Sequence, residues 1–379
     1  MQVRRKNCPN SKIKTMRLMW MIIFFALPLL GVGYAAWHVW QILPWSPLWK
    51  CGVLTVGLLA FACIFLNFSG TLERLPLNMA SMLYDFGNSF LIILLYLVML
   101  FLVLDIGRLV HLVPKGWLTH NGTASLAILA FMVVVFIYGN IHYHNKIRQP
   151  LELTTAKTLS KPVRMVMMSD LHLGYHNRRA EFHKWVDMVN SEHPDMIFIG
   201  GDIIDISVRP LIEENMAAEF RRLKAPVYAC LGNHEYYSGE PRAQQFYHEA
   251  GIHLLRDTCV TVGDVSIIGR DDRTNPHRKS VAELSRMADH TKYTILLDHQ
   301  PYHLDRTEHA GIDFQFSGHT HYGQVWPISW ITDRVYECAF GPYQRGNTRY
   351  YVSSGIGIWG GKFRIGTRSE YVVATLSNE

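Results

Sequence analysis

Two histidines one residue apart between glycines, in Gly318-His319-Thr320-His321-Tyr322-Gly323, are poorly suited to packing and well suited to holding cations. Upstream, Asp170 and His172 alternate at strand spacing, so a carboxylate and an imidazole can point to one side of the chain. Gly200-Gly201-Asp202 puts a carboxylate after two residues that let backbone approach closely, and its two oxygens can bridge two cations. Asn233 adds a neutral carbonyl oxygen and His299 a further imidazole. Together these residues make two sets of nitrogen and oxygen ligands that share Asp202. Any one of the histidines alone reads better as a surface or core residue; the set, in this order and at loop positions, does not.

A ligand set without thiolate suits two divalent ions such as Mn, Fe or Zn. Two such ions lower the pKa of a shared water to about 7 and clamp phosphoryl oxygens, as hydrolysis of a phosphoester or pyrophosphate requires. The expected nucleophile is metal-activated hydroxide. His234, beside Asn233, is the natural general acid for the leaving oxygen, and Asp205, shortly after Asp202, is placed to orient it. Arg178 with Arg179, and Arg270, Arg273, Arg278 and Lys279, could clamp a diphosphate or an anionic headgroup, or be solvated surface charge. Tyr236 and Tyr237 could flank a flat group, but the basic residues are not interleaved with aromatics, so no nucleic-acid partner is expected.

These residues need elements that bring them together. Val163–Met168, Met196–Ile199 and 227–231 read as buried strands, and 179–190 and 210–223 as the helices between them. This βαβα order predicts a largely parallel sheet, with the polar residues just past the carboxyl ends of its strands, where open α/β sheets bind ligands. Further on, 260–269 reads as a hairpin around Gly263-Asp264. Tyr293–Leu297 and 314–316 deliver the later histidines, and 350–353 and 370–375 close the fold. Two facing sheets with helices outside accommodate this many strands.

The other half of the chain is different in kind. Of 379 residues with net charge +6, 49% are hydrophobic, and the excess lies before about residue 142, whereas all histidines but His38, His111 and His120 lie after it. Four apolar stretches, 18–40, 48–68, 87–113 and 123–141, approach or exceed the ~20 residues a helix needs to cross a bilayer. The segment 1–17 carries Arg4, Arg5, Lys6, Lys12, Lys14 and Arg17 and no acid, which predicts a cytoplasmic N-terminus. Four spans then return the chain to that side, and Trp37, Trp40, Trp45 and Trp49 cluster at the first connection, as interfacial indoles do. Asp105 and Arg108, three apart on a helix, are expected to neutralise each other. The segment 142–162, with two prolines, reads as a tether that keeps 163–379 near the membrane. The six cysteines show no framework or CxxC spacing and read as reduced.

The series SDLHLG (169–174), GDIID (201–205), GNHE (232–235), DHQP (298–301) and GHTHYGQ (318–324) resembles the calcineurin-like metallophosphoesterase superfamily. It is most similar to the membrane-anchored bacterial branch that includes UDP-2,3-diacylglucosamine pyrophosphatases; Ser354-Gly355-Ile356-Gly357, Arg364-Ile365-Gly366 and Glu370 add to the likeness. The resemblance implies a four-layer α/β/β/α sandwich and a dinuclear centre; the all-α four-helix transmembrane region lies outside it and rests on the apolar stretches alone. By motif, Asp170, His172, Asp202 and His321 would hold one metal, and Asp202, Asn233, His299 and His319 the other, with His234 beside the phosphate. Tyr322 stands where many relatives have glycine, which makes it a candidate for substrate selection. The function expected is a multi-pass membrane phosphoesterase or pyrophosphatase on a phosphoester substrate, lipid-linked by preference. A phosphodiesterase for soluble nucleotides or esters, and a membrane sensor or transport protein with a regulatory phosphoesterase domain, are the alternatives.

Overall fold

The structure, a computed structural model, describes residues 9–379, with side chains from residue 26 onward. It divides into two compact units, Met1–Phe65 with Phe86–Phe136, and Leu66–Asp85 with Ile137–Glu379.

The first unit is helical. Among the described residues, Pro47–Ser69, Leu77–Leu109 and Gly122–His144 are long and apolar enough to cross a membrane. The basic segment and the start of the first expected span, within the helix Pro9–Ile42, lie outside the described residues and side chains. Asp105 and Arg108 do pair, at 3.4 Å, and Asp105 also accepts a hydrogen bond from Tyr34 at 2.7 Å and lies 2.9 Å from His38 Nε2. The helix expected from residue 87 begins at Leu77, and its first turns belong to the other unit.

The second unit contains twelve strands: β1 Lys146–Thr155, β2 Val163–Met168, β3 Met196–Ile199, β4 Val227–Ala229, β5 Ile252–Leu254, β6 Thr258–Val262, β7 Val265–Gly269, β8 Tyr293–Leu297, β9 Phe314–Ser317, β10 Gly341–Arg345, β11 Thr348–Val352 and β12 Ser369–Asn378. They form two six-stranded sheets, ordered β1-β12-β2-β3-β4-β5 and β10-β11-β9-β8-β7-β6. Strands β2 to β5 run parallel, as do β7, β8, β9 and β11. Alternation in β2 divides its side chains between faces. Met165 and Met167 join Phe198, Ile267, Ile295, Phe316 and Tyr351 in a core built from both sheets, while Val166 and Met168 join Phe182, Trp185, Phe220 and Phe246 of the flanking helices. Val281 and Leu284 cover Ile268 and Leu296 of the second sheet.

Three expectations change. The segment 142–162 is not a free tether: it supplies β1, which pairs parallel with β12 from Lys146↔Ser369 to Thr155↔Asn378. Pro150, which cannot donate to a ladder, is tolerated because β1 is an edge strand. The single helix expected over 210–223 is two, Arg209–Glu213 and Met216–Phe220, broken at Asn215, whose φ of +52° is one that asparagine accepts more readily than most residues. Finally, Leu66–Asp85 and the end of the helix Gly122–His144 belong with the sheets and not with the apolar helices. Leu72, Ala80 and Tyr84 pack with Tyr175, and the Gly139 carbonyl accepts from Arg364 N–H at 2.9 Å.

Candidate metal centre

The chain reverses sharply just after three of the strands that lead into the site. Asp170 and His172 follow β2 with φ of +54° and +44°, Asp202 follows β3 with +51°, and His319 and His321 follow β9 with +71° and +48°. Such left-handed conformations are strained for side-chain-bearing residues and persist where the surroundings enforce them. Asn233 opens the short helix after β4, and His299 follows β8. The segments that follow β2, β3, β4, β8 and β9 therefore carry every candidate metal ligand, with Asp205 and His234.

Their side chains converge into three groups whose candidate ligand atoms lie within 4.8 Å of one another: Asp170, His172 and His321; Asp202, His299 and His319; and His172, Asp205 and His234. In the first, His321 Nε2 is 3.0 Å from His172 Nε2 and 3.4 Å from Asp170 Oδ1. In the second, His299 Nε2 is 3.0 Å from Asp202 Oδ2. Asp202 Oδ2 is also 3.7 Å from His172 Nε2, so this carboxylate touches both groups. His299 Nδ1 donates to the Gly200 carbonyl at 2.7 Å, which in the neutral ring leaves the Nε2 lone pair directed elsewhere. Buried Asn233 Oδ1 has no hydrogen-bond partner, and His299 Nε2 faces the Asp202 carboxylate. Buried polar atoms are normally satisfied, and an amide oxygen left over beside an imidazole nitrogen and carboxylates fits a divalent cation.

Electrostatics agree with that donor set at His319, His321 and Asp202. Among the side chains themselves, burial opposes a charge on His299 but Asp202 outweighs it and takes the ring well above its ordinary value, and burial raises Asp170. Burial, joined by the charge of neighbouring His299, lowers the His319 pKa to about 4, and burial with His172 and Arg364 takes His321 well below its ordinary value; both rings are neutral and able to ligate. Burial resists ionisation of Asp205 and Asp202, but the imidazoles around them outweigh it and hold both carboxyls well below the usual carboxylate range. Asp205 Oδ1 lies 3.2 Å from His172 Nδ1 and 3.4 Å from His234 Nδ1, and the Asp205 carbonyl is 3.1 Å from His234 Nδ1. Burial disfavours a charged His234, yet Asp202 and Asp205 together raise its pKa to about 9.

Residues 163–323 match the model of the calcineurin-like phosphoesterase family. A metallophosphoesterase of Helicobacter pylori strain J99 is 31% identical over 220 residues, 56% of this chain and 59% of its own length. The chain thus spans little more than half of that relative. One from Campylobacter jejuni is 31% identical over 266 residues, covering 67% of this chain and 69% of its own. The chain belongs to the calcineurin-like metallophosphoesterase family. A zebrafish transmembrane protein with a metallophosphoesterase domain is 27% identical over 316 residues, 74% of this chain and 71% of its own.

Sequence reasoning missed several residues that support this metallophosphoesterase's centre. Glu235, fully buried, accepts from the N–H groups of Gly232 at 2.7 Å, Asp202 at 3.2 Å and Ile204 at 3.0 Å, tying the loops after β3 and β4 together. Arg364, seen only as part of a likeness, is wholly buried and donates to the His321 carbonyl at 2.6 Å and the Gly357 carbonyl at 3.2 Å. Burial lowers its pKa to about 10. The hydroxyl of Tyr84 donates to Asp205 Oδ2 at 2.7 Å. The acidic tail of GNHE was a signal for Glu235; for a tyrosine inside an apolar run there was none.

The candidate substrate contacts are not gathered with the ligands. Arg178 donates to Glu214 at 2.6 Å and to Asn78 at 2.8 Å, and Tyr236 donates to Asp271 at 2.7 Å. Arg270 and Arg278 clamp Asp298, at 3.0 and 3.1 Å. Tyr322 adjoins His321, with φ of +48°, and stacks on Phe340 at 4.9 Å between centroids. A Cβ added at Gly318 would lie 2.2 Å from Asp170 Oδ2 and 2.6 Å from Ser169 Oγ. Gly318→Ala is therefore expected to displace Asp170, costing about 1–3 kcal/mol of stability and weakening metal binding. Denaturant unfolding and metal analysis check this; an unchanged protein would mean the loop has slack.

Proposed function

We propose that this chain is a membrane-bound phosphoesterase that hydrolyses a phosphoester or pyrophosphate bond with two divalent ions. The observation that carries the proposal is the convergence of Asp and His side chains from the segments after β2, β3, β4, β8 and β9, with Asp202 touching both ligand groups. Asp170, His172, Asp202 and His321 would hold one ion, and Asp202, Asn233, His299 and His319 the other. When bound, such ions supply Lewis acidity to phosphoryl oxygens and a nucleophilic water near neutral pH. Their identity, Mn, Fe, Zn or another, is left to assay.

The chain's own residues supply the remaining chemistry. Asp205 holds His234 at Nδ1 through its carbonyl and carboxylate, so Nε2 is the end that can pass a proton to the leaving oxygen. Asp202 Oδ1 accepts the His234 N–H at 2.9 Å, which fixes the acid relative to the shared ligand. The two sheets, each packed against helices, support a four-layer scaffold, and the basic residues of 1–17 support a phosphoesterase unit on the cytoplasmic face. A lipid-linked substrate is supported by the helix Ile328–Val335, which follows the His321 turn closely and leaves Trp330 63% and Ile331 61% exposed. Tyr322, between His321 and that helix, is the proposed selector.

Full-length protein in detergent is expected to hydrolyse an aryl phosphodiester with Mn2+, to stop on chelation and to resume when Mn2+ is restored. Turnover indifferent to metal, or none with Mn2+, Fe2+ or Zn2+, would overturn the proposal. Inhibition by a lipid-linked pyrophosphate in mixed micelles, and not by soluble nucleotides, supports the substrate class; the reverse pattern rejects it.

A further inference from the structure

Leu66–Asp85 takes in the end of one helix apolar enough to cross a membrane, Pro47–Ser69, and the first turns of the next, Leu77–Leu109, yet packs with the sheets that carry the candidate centre. It is held on the loops that follow β2 and β3. Arg209 donates to the carbonyls of Leu72 at 2.9 Å and Leu75 at 2.8 Å, Arg178 donates to Asn78 at 2.8 Å, and the Tyr175 hydroxyl donates to Glu73 at 2.9 Å. Near its end is Tyr84, only 1% exposed. The Tyr84 ring stacks on His176, with centroids 5.1 Å apart and planes 14° from parallel. Its hydroxyl accepts from Gly360 N–H at 3.1 Å and donates to Asp205 Oδ2 at 2.7 Å.

The two oxygens of Asp205 are thereby divided. Oδ1 faces His172 Nδ1 at 3.2 Å and His234 Nδ1 at 3.4 Å, while Oδ2 takes the phenol. The terminal torsion of an aspartate is soft, so a carboxylate gripped on one side can swing. A short bond from a neutral donor to a charged acceptor on the other side removes that freedom. Both imidazoles depend on the result, because a histidine's ring orientation and tautomer are set by the partner of its other nitrogen.

We propose that Tyr84 is a positioning residue of the candidate centre: its hydroxyl fixes the Asp205 carboxylate and, through it, the rings of His172 and His234. The proposal rests on the roles given to those residues above. It extends the centre's support into the first turns of the apolar helix Leu77–Leu109.

The test is Tyr84→Phe in the full-length protein, which keeps the ring and its stacking and deletes only the hydroxyl. With an aryl phosphodiester and Mn2+, kcat is expected to fall about 10-fold with KM unchanged, and free-Mn2+ titration to show weaker binding. Tyr175→Phe removes a neighbouring hydroxyl that bonds Glu73 and not Asp205, and is expected to alter neither quantity. In an Asp205→Asn background Tyr84→Phe is expected to add nothing, since its acceptor has lost its charge. Unchanged kcat and Mn2+ affinity in Tyr84→Phe, equal losses in Tyr84→Phe and Tyr175→Phe, or full additivity with Asp205→Asn would each overturn the proposal. Should Tyr84→Phe unfold, Asp205→Asn with normal kcat and Mn2+ affinity would do the same. Absence of metal-dependent turnover in the parent protein would instead sink the functional proposal.

Discussion

His234→Ala is expected to lower kcat by about 10²- to 10⁴-fold while the protein keeps its metal, the range over which a positioned proton donor acts. His234 is the one imidazole of the three candidate groups that hydrogen-bonds to Asp205 at Nδ1, and to the Asp202 carboxylate through its backbone N–H, without belonging to either ligand group. It is 14% exposed, whereas His172 and His299 are fully buried, so it alone combines a fixed Nδ1 with access to an incoming ester. The effect should shrink for esters whose leaving group is already a weak base, such as a nitrophenolate, because those need little protonation. Comparing aryl and alkyl phosphodiesters would expose this. A loss of equal size for both, accompanied by loss of Mn2+, would place His234 among the ligands and remove it as an acid.

The second large effect is expected at Asp202. Changing Asp202→Asn removes the charge from the carboxylate placed between the two ligand groups, 3.0 Å from His299 Nε2 and 3.7 Å from His172 Nε2. Both ions are expected to bind at least 10-fold more weakly, and metal-dependent turnover to fall below detection at micromolar Mn2+. Each single-group ligand should instead affect one ion more than the other. Calorimetric titration with Mn2+ distinguishes the cases: a variant that keeps one full-affinity equivalent would show that Asp202 is not shared. Oδ1, which accepts the His234 N–H at 2.9 Å, remains an acceptor in asparagine, so folding should be little changed.

Much of this was legible in the sequence because each candidate ligand follows a short run that can only be a buried strand. Val163–Met168 followed by Asp170 and His172, or Phe314–Ser317 followed by His319 and His321, states both the element and the end at which its chemistry sits. What stayed hidden depends on partners far away in the chain. The prolines at 150 and 162 read as a tether because the pairing that makes 146–155 a strand is with 369–378. Arg178 read as an anion clamp or solvated charge because Glu214 and Asn78, which occupy it, come from two different segments. Tyr84 sits in a run of apolar residues and looks like filler until Asp205 is brought to its hydroxyl. Local pattern revealed the ligands; the residues that hold them still are defined only by tertiary contact.

The edge strand β1 has a consequence for biosynthesis. Its sole neighbour is β12, which lies between it and β2. As the ribosome works towards residue 369, β1 has already emerged beside the last apolar helix with no partner for its ladder, and β2 has only β3. The first sheet therefore closes in one late step that joins residues at opposite ends of the unit, the kind of long-range pairing that slows folding and leaves strand edges open to aggregation meanwhile. Pro150, in the middle of that waiting strand, blunts the hazard by denying a foreign strand one of its hydrogen bonds.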